Sequence, residues 1–189
     1  MSYKEITGQP CSGKTKFLIN EMKRDVAIKL YSQGIPRQAL NFFRGIWYLG
    51  FYRTLTIYQW SMQESASLLF RHNIFRNAVT KFGVFNYLYP IVTQDSKIHF
   101  IDEGISHLPY LFRNTSTNTI VSFLHNELRD IEILFIQSKD SDEIKNRLII
   151  RGHKRLKFNS LNDFVSRNME IDDILLNLYP NLCKKMDLC

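Results

Sequence analysis

Residues 8–15, Gly8-Gln9-Pro10-Cys11-Ser12-Gly13-Lys14-Thr15, fit G-x-x-x-x-G-K-[ST] at every fixed position of the Walker A pattern. That spacing suits the holding of a nucleotide's phosphates. The glycines let successive backbone N–H groups turn inward around an anion, Lys14 can reach the β and γ oxygens, and the Thr15 hydroxyl can ligate Mg²⁺. Behind the loop, residues 14–23 carry Phe17, Leu18 and Met22 at helical spacing, so the positive end of a helix dipole would face the bound anion. Residues 3–7 ahead of it form a short strand candidate.

Two further clusters could complete the chemistry. Lys97-Ile98-His99-Phe100-Ile101-Asp102-Glu103-Gly104 reads as a buried strand ending in acids. An aspartate at that point of an open parallel sheet can hold Mg²⁺ beside a phosphate loop, which brings Asp102 toward Thr15. Glu103 has three readings: it orients a nucleophile, anchors the metal site from behind, or caps a helix. The second cluster, Arg147-Leu148-Ile149-Ile150-Arg151-Gly152-His153-Lys154-Arg155, gathers four cations and a histidine in nine residues. Cations that close over a transferring phosphoryl group stabilise its charge and exclude water, so residues 145–157 read as a lid with Gly152 as hinge.

The elements that must position these residues alternate. A second helical stretch is expected around residues 25–33, with long helices over about 38–49 and 56–70 and another over 75–89 stopped by Pro90. Residues 119–128 read as a helix and 131–137, IEILFIQ, as the most apolar strand, so strand, helix, strand implies a parallel pairing. Asp140, with Glu143 three residues on, marks the start of a helix running toward Arg151. No second strand is legible between Lys23 and Arg37, and none after the helical run at 161–178.

Composition bounds the rest. A chain of 189 residues, 44% hydrophobic, suits one domain, with residues 35–94 as a helical insert on the acceptor side. No stretch approaches the roughly 20 apolar residues that cross a bilayer, the N-terminus lacks a signal-peptide h-region, and a cytoplasmic location is expected. Cys11, Cys183 and Cys189 lack zinc-site spacing. His72, His99, His107, His125 and His153 lack it too, and most of them read as structural. The net charge of +7 fits polyphosphate substrates, with nucleic acid the less favoured partner. Within 35–94 stand 14 of the 25 aromatics, together with Arg37, Arg44, Arg53, Arg71, Arg76 and Lys81, against the single acid Glu64. Most of these aromatics should be core.

The order of these features, with R-x-x-x-R-G-x-x-R after the late strand, resembles the P-loop small-molecule kinases, in particular thymidylate-kinase-like enzymes, over about residues 1–158. The resemblance implies a three-layer α/β/α P-loop NTPase fold with a parallel sheet, a large helical insert and a basic lid. It implies Mg-ATP as donor, Lys14 and Thr15 as phosphate and magnesium residues, Asp102 as the strand-end acid, and Arg147, Arg151 and Arg155 as lid cations. Asp102-Glu103-Gly104 departs from the Asp-Arg usual in nucleotide-specific members. Together with the segment of Arg71, Arg76, Asn77 and Lys81 it is also similar to thymidylate-kinase-like proteins found with bacterial surface-polysaccharide genes, which implies that the acceptor need not be a nucleotide. Arg71, Arg76 and Lys81 are candidate acceptor anchors, with Phe82 or Trp60 as stacking groups. The expected function is transfer of the γ-phosphoryl group of Mg-ATP to a small nucleotide-like or sugar-like acceptor, and a homodimer is one assembly open to it. The alternatives are an ATPase or nucleotide switch with a protein or nucleic-acid partner, and a binding module without turnover.

Overall fold

Ile131-Glu132-Ile133-Leu134-Phe135-Ile136 is apolar at all but one position, the pattern of a strand covered on both faces. The structure, a computed structural model, describes residues 3–8, 10–22, 27–28, 35–94, 100–129, 131–137, 141–152, 156, 160–178 and 183–187. Five parallel strands lie in the order β2-β3-β1-β4-β5: β1 is Tyr3–Thr7, β2 Ala27–Ile28, β3 Phe100–Asp102, β4 Ile131–Gln137 and β5 Cys183–Asp187. Alternation along the strands divides them between two cores. Tyr3, Ile101, Ile131, Ile133 and Phe135 enter the main one. Ile6, Phe100, Leu134 and Ile136 face the other way, against Phe17 and Leu18 of helix α1 (Lys14–Met22).

The expected three-layer α/β/α architecture is corrected here: the chain is mostly helical around a small sheet. Helices α2 (Ile35–Gln63) and α3 (Leu68–Gln94) take 29 and 27 residues, whereas the strands take from two to seven. The reason lies in where the apolar side chains are spent. Part of the aromatics of 35–94 pack helix on helix, as Phe42 does on Phe75 and Tyr48 on Phe82, and glycines let α2 and α3 approach closely, whereas Phe43, Trp47, Phe51 and Tyr52, expected with the rest to be core, are exposed. A methyl on Gly83 would run into the carbonyl oxygen of Asn41, and one on Gly45 into that of Val79. The two faces of the sheet are therefore unequally covered, one by the long hairpin and the other by nine-residue α1.

Several element boundaries also differ from expectation. The helix expected at 38–49 and the first half of the one expected at 56–70 belong to one element, α2, with a break at Gly50, whose φ of 68° and ψ of 178° leave the helical region, while residues 64–67 turn the chain and 68–70 already belong to α3. Pro90 does not stop α3, which continues to Gln94. Proline removes one hydrogen bond to the preceding turn, and near a helix end that loss is small. The helix expected at 25–33 is replaced at Ala27–Ile28 by β2, its neighbours lying outside the described residues. The final strand that the sequence did not reveal is β5. After β3 come a 3-10 helix (Ile105–Tyr110), α4 (Thr117–Phe123) and α5 (His125–Leu128). Helices α6 (Ser141–Arg151) and α7 (Leu161–Leu178) follow β4, and the expected cap Asp140 lies outside the described residues. Among the described residues no helix is long and apolar enough to cross a membrane.

Candidate functional site

The octapeptide joins β1 to α1, and its backbone takes the turns that its glycines allow. Gly8 and Gly13 have φ of 132° and 99°, a region that glycine enters without steric cost. At Gly8 a side chain would also strike the carbonyl of Ile136 on β4. The helix begins where Phe17 N donates to Gly13 O at 3.1 Å. Lys14 is buried and curls back into the loop, its Nζ donating to Gly8 O at 2.8 Å. Ser12 Oγ is buried in the loop with no hydrogen-bond partner among the described residues, Thr15 is exposed, and Gln9 lies outside the described residues.

The parallel register brings β3 alongside. Ile6 pairs with Asp102, and Glu103 N donates to Ile6 O at 3.0 Å, which sets the two acids next to the loop. Asp102 is buried, and Glu103 Oε1 stands 3.5 Å from Lys14 Nζ. Only Cys11 (φ 67°) and Glu103 (φ 52°) among the described non-glycine residues have positive φ. Both flank Lys14. Such strain costs on the order of 1–3 kcal/mol per residue and concentrates at functional sites.

Behind the acids are three residues that the sequence reading passed over or left in doubt. Lys81 of α3 is buried and donates to Glu103 O; burial lowers its ammonium below the ordinary value, against the pull of Glu103, Glu5 and Asp102. Glu5, in the middle of β1, is fully buried and accepts from Ile105 N at 3.0 Å and Ser106 N at 2.7 Å, so it caps the 3-10 helix that follows the acids. His107 has Nδ1 3.4 Å from Thr7 Oγ1 and Nε2 3.7 Å from Glu103 Oε2, and its ring stacks on Tyr110, whose hydroxyl donates to Asp172 of α7. The sequence reading did not place His107 beside Glu103; the available signal was its spacing, four residues after the acid that follows β3.

Burial pushes the Glu5 carboxyl above its ordinary value of 4.5, while hydrogen bonds from Ser106 and Ile105 and the charge of Lys81 pull it down. With a raised value, the folded state holds this proton more tightly than the unfolded chain. The residue's contribution to stability is then fully present below 4.5 and is lost as pH rises through the folded-state value. Glu5→Gln does not titrate and should gain on the wild type as pH rises from 4.5 toward neutrality. Urea midpoints of the two proteins across that range check it, and a pH-independent difference would contradict the raised carboxyl.

The remaining sequence candidates divide. Arg147 reaches the loop, with Nη1 donating to Cys11 O at 3.1 Å and Nη2 pairing with Glu143 one turn back. Cys11 itself packs against the cluster of Ile144, Leu148, Phe164 and Val165 that joins α6 to α7. Arg151 is exposed at the end of α6 before Gly152 (φ 63°), and Arg155 lies outside the described residues. Of the acceptor anchors only Lys81 is brought to the loop. Arg71 donates from Nε to Ala66 O at 3.0 Å and Arg76 is exposed. Steps of five residues turn about 140° around a helix, so Arg71, Arg76 and Lys81 cannot share a face, and Arg71 lies about 15 Å along α3 from Lys81. Trp60 and Phe82 are core residues, packed on Phe123 at 5.0 and 6.2 Å between ring centroids, and are not open stacking platforms.

Among the described residues no group of three or more histidine, cysteine or acidic side chains could hold a metal ion. A magnesium held by one hydroxyl, one carboxylate and phosphate oxygens needs no such group. No protein-family model matches the chain, and no curated protein matches it.

Proposed function

We propose that the protein transfers the γ-phosphoryl group of Mg-ATP to a small-molecule acceptor. The observation that carries this reading is a phosphate-loop lysine already turned inward, with strand-end acids alongside. Lys14 Nζ stands on Gly8 O and near Glu103, while β3 runs parallel to β1 with Asp102 in register with Ile6. The buried hydroxyl of Ser12 and the crowding around Gly8 fit a loop shaped for an anion rather than for side chains. Thr15 and Asp102 are the residues that would hold Mg²⁺, whose charge would offset that of the phosphates. Lys14 would move from Gly8 O to a phosphate oxygen, Arg147 would approach from α6 over Cys11, and Glu103, held beside His107, would orient the attacking hydroxyl. Catalysis would then rest on positioning and charge stabilisation.

The acceptor would enter beside Glu103. A second reading, hydrolysis, is favoured by the same carboxylate, since a base near the loop lysine can orient water as well as an alcohol. The deciding experiment follows ADP release from Mg-ATP alone and with nucleosides, nucleoside monophosphates or sugars. The expected outcome is release that requires one acceptor class and yields a phosphorylated product of it. Release equal with and without acceptors would replace transfer with hydrolysis, and ATP binding without release would remove both.

A further inference from the structure

The outward side of α2 is apolar along most of its length. Leu40, Phe43 and Trp47 fall within about 60° around the helix before the break at Gly50, and Phe51, Leu55 and Tyr58 do so after it. All six are exposed. Phe43, Trp47, Phe51 and Tyr52 stand 67%, 88%, 74% and 82% open to solvent. An aromatic side chain covers about 150–250 Å², so these four leave on the order of 500 Å² uncovered, and Leu40, Leu55 and Tyr58 extend it. The largest apolar patch of a typical monomer is about 300–600 Å², and such a patch usually marks a contact surface.

The charge beside this stripe is of one sign. Neither α2 nor α3 contains an aspartate or a glutamate. Arg37 and Arg44 lie about 40–60° around the helix from Leu40, on one border of the stripe. Arg44 also lies over the ring of Tyr87 on α3, its CZ 4.4 Å from the centroid, which adds that half-open tyrosine to the border. Arg53, by contrast, turns inward to Glu127 at 2.6 Å. Exposed rings and leucines bordered by arginines are the composition of a helix that lies in the plane of an anionic bilayer: acyl chains receive the rings and lipid phosphates receive the guanidinium groups. A second copy of the chain could cover the rings, but its α2 and α3 would bring further cations to the border and no acid to meet them. α2 itself is not apolar enough to cross a bilayer.

From this arrangement we infer that the outward face of α2 docks the protein on an anionic lipid surface. Phe43, Trp47 and Phe51 enter the headgroup region, and Arg37 and Arg44 meet lipid phosphates along its border. The docking does not depend on the phosphoryl-transfer reading.

Sedimentation of the full chain with lipid vesicles tests this. The protein is expected to sediment with vesicles of mixed phosphatidylcholine and phosphatidylglycerol, far less with phosphatidylcholine alone, and to be released by raised salt. Trp47→Glu should weaken binding about tenfold or more, the value of burying one large apolar side chain, and Arg37→Gln about fivefold, the value of one cation near a charged surface. Both side chains are exposed, so without lipid each variant should melt with the wild type. A second readout holds even if Trp47→Glu fails to fold. Brominated lipid should quench the wild-type tryptophan fluorescence, and Trp47→Phe should still bind while losing most of that quenching, because the other tryptophan, Trp60, is buried. Absence of sedimentation, equal binding to neutral vesicles, binding that a folded Trp47→Glu leaves unchanged, or quenching that Trp47→Phe retains overturns the docking. So does a dimer in solution that Trp47→Glu splits while vesicles leave the protein in the supernatant, an outcome that assigns the face to a second copy.

Discussion

Lys14→Ala should lower ATP-dependent turnover about a hundredfold or more, the cost of removing a preorganised charge donor from a phosphoryl-transfer site. The fold should survive. Lys14 is buried, and the carbonyl at 2.8 Å and the carboxylate at 3.5 Å that it meets do not belong to the apolar cores. Glu103 would lose one cation and keep its approach to His107 at 3.7 Å. The direct check pairs the rate of ADP release with a thermal melt. Lost turnover with a near-native melt assigns Lys14 to chemistry. Full turnover would end the nucleotide reading of residues 8–15, because no other residue of that loop carries a charge.

What the sequence made legible were the features whose physics is local. The strand at 131–137 is apolar because both its faces are covered, and its limits matched β4. The turn between β1 and α1 showed itself because its backbone needs glycine at fixed places, Gly8 and Gly13, and the end of β3 because an acid ending an apolar run is unusual. Elements held by backbone pairing were not legible. Two residues make β2, and β5 is Cys-Lys-Lys-Met-Asp, whose side chains give no strand pattern; each is an edge strand recruited by its neighbour's hydrogen bonds. The layer architecture was misjudged because the helical segment was read as an insert on a sheet, whereas its side chains, Leu49, Ile57, Trp60, Val79, Phe82 and Phe85 among them, are built into the main core. The residues behind the site were hidden for a related reason. Glu5 stands in a short mixed strand and Lys81 in a largely apolar helix, and contacts with the distant segment 103–106 decide their role. The sequence separation of Glu5 from Ser106, and of Lys81 from Glu103, gives no periodicity to read.

That buried cluster yields the second large expected effect. Lys81→Met should destabilise the protein by about 3–5 kcal/mol at neutral pH, the cost of leaving buried charge uncompensated. Lys81 stands among Glu5, Asp102 and Glu103, with Lys14 the other cation of the group. Methionine fills a similar volume but removes the positive charge and the hydrogen bond to Glu103 O at the strained turn. The carboxylates would then hold protons more tightly in the folded variant than in the folded wild type. By linkage the deficit should shrink as pH falls toward the ordinary carboxyl range. Urea denaturation of both proteins at neutral pH and near pH 4.5, the ordinary glutamate value, measures it. The opposite outcome is as informative. Burial, and after it the like charge of Lys14, lowers the Lys81 ammonium against the three acids, and if it were carried below neutral pH the side chain would be neutral in the folded protein. Methionine would then cost little at any pH, because the packing of α3 against the sheet would be kept and no charge would have been lost. A large deficit that fades with acid shows instead that Lys81 is a cation, held beneath the acids to keep them ionised beside the loop where Lys14 waits.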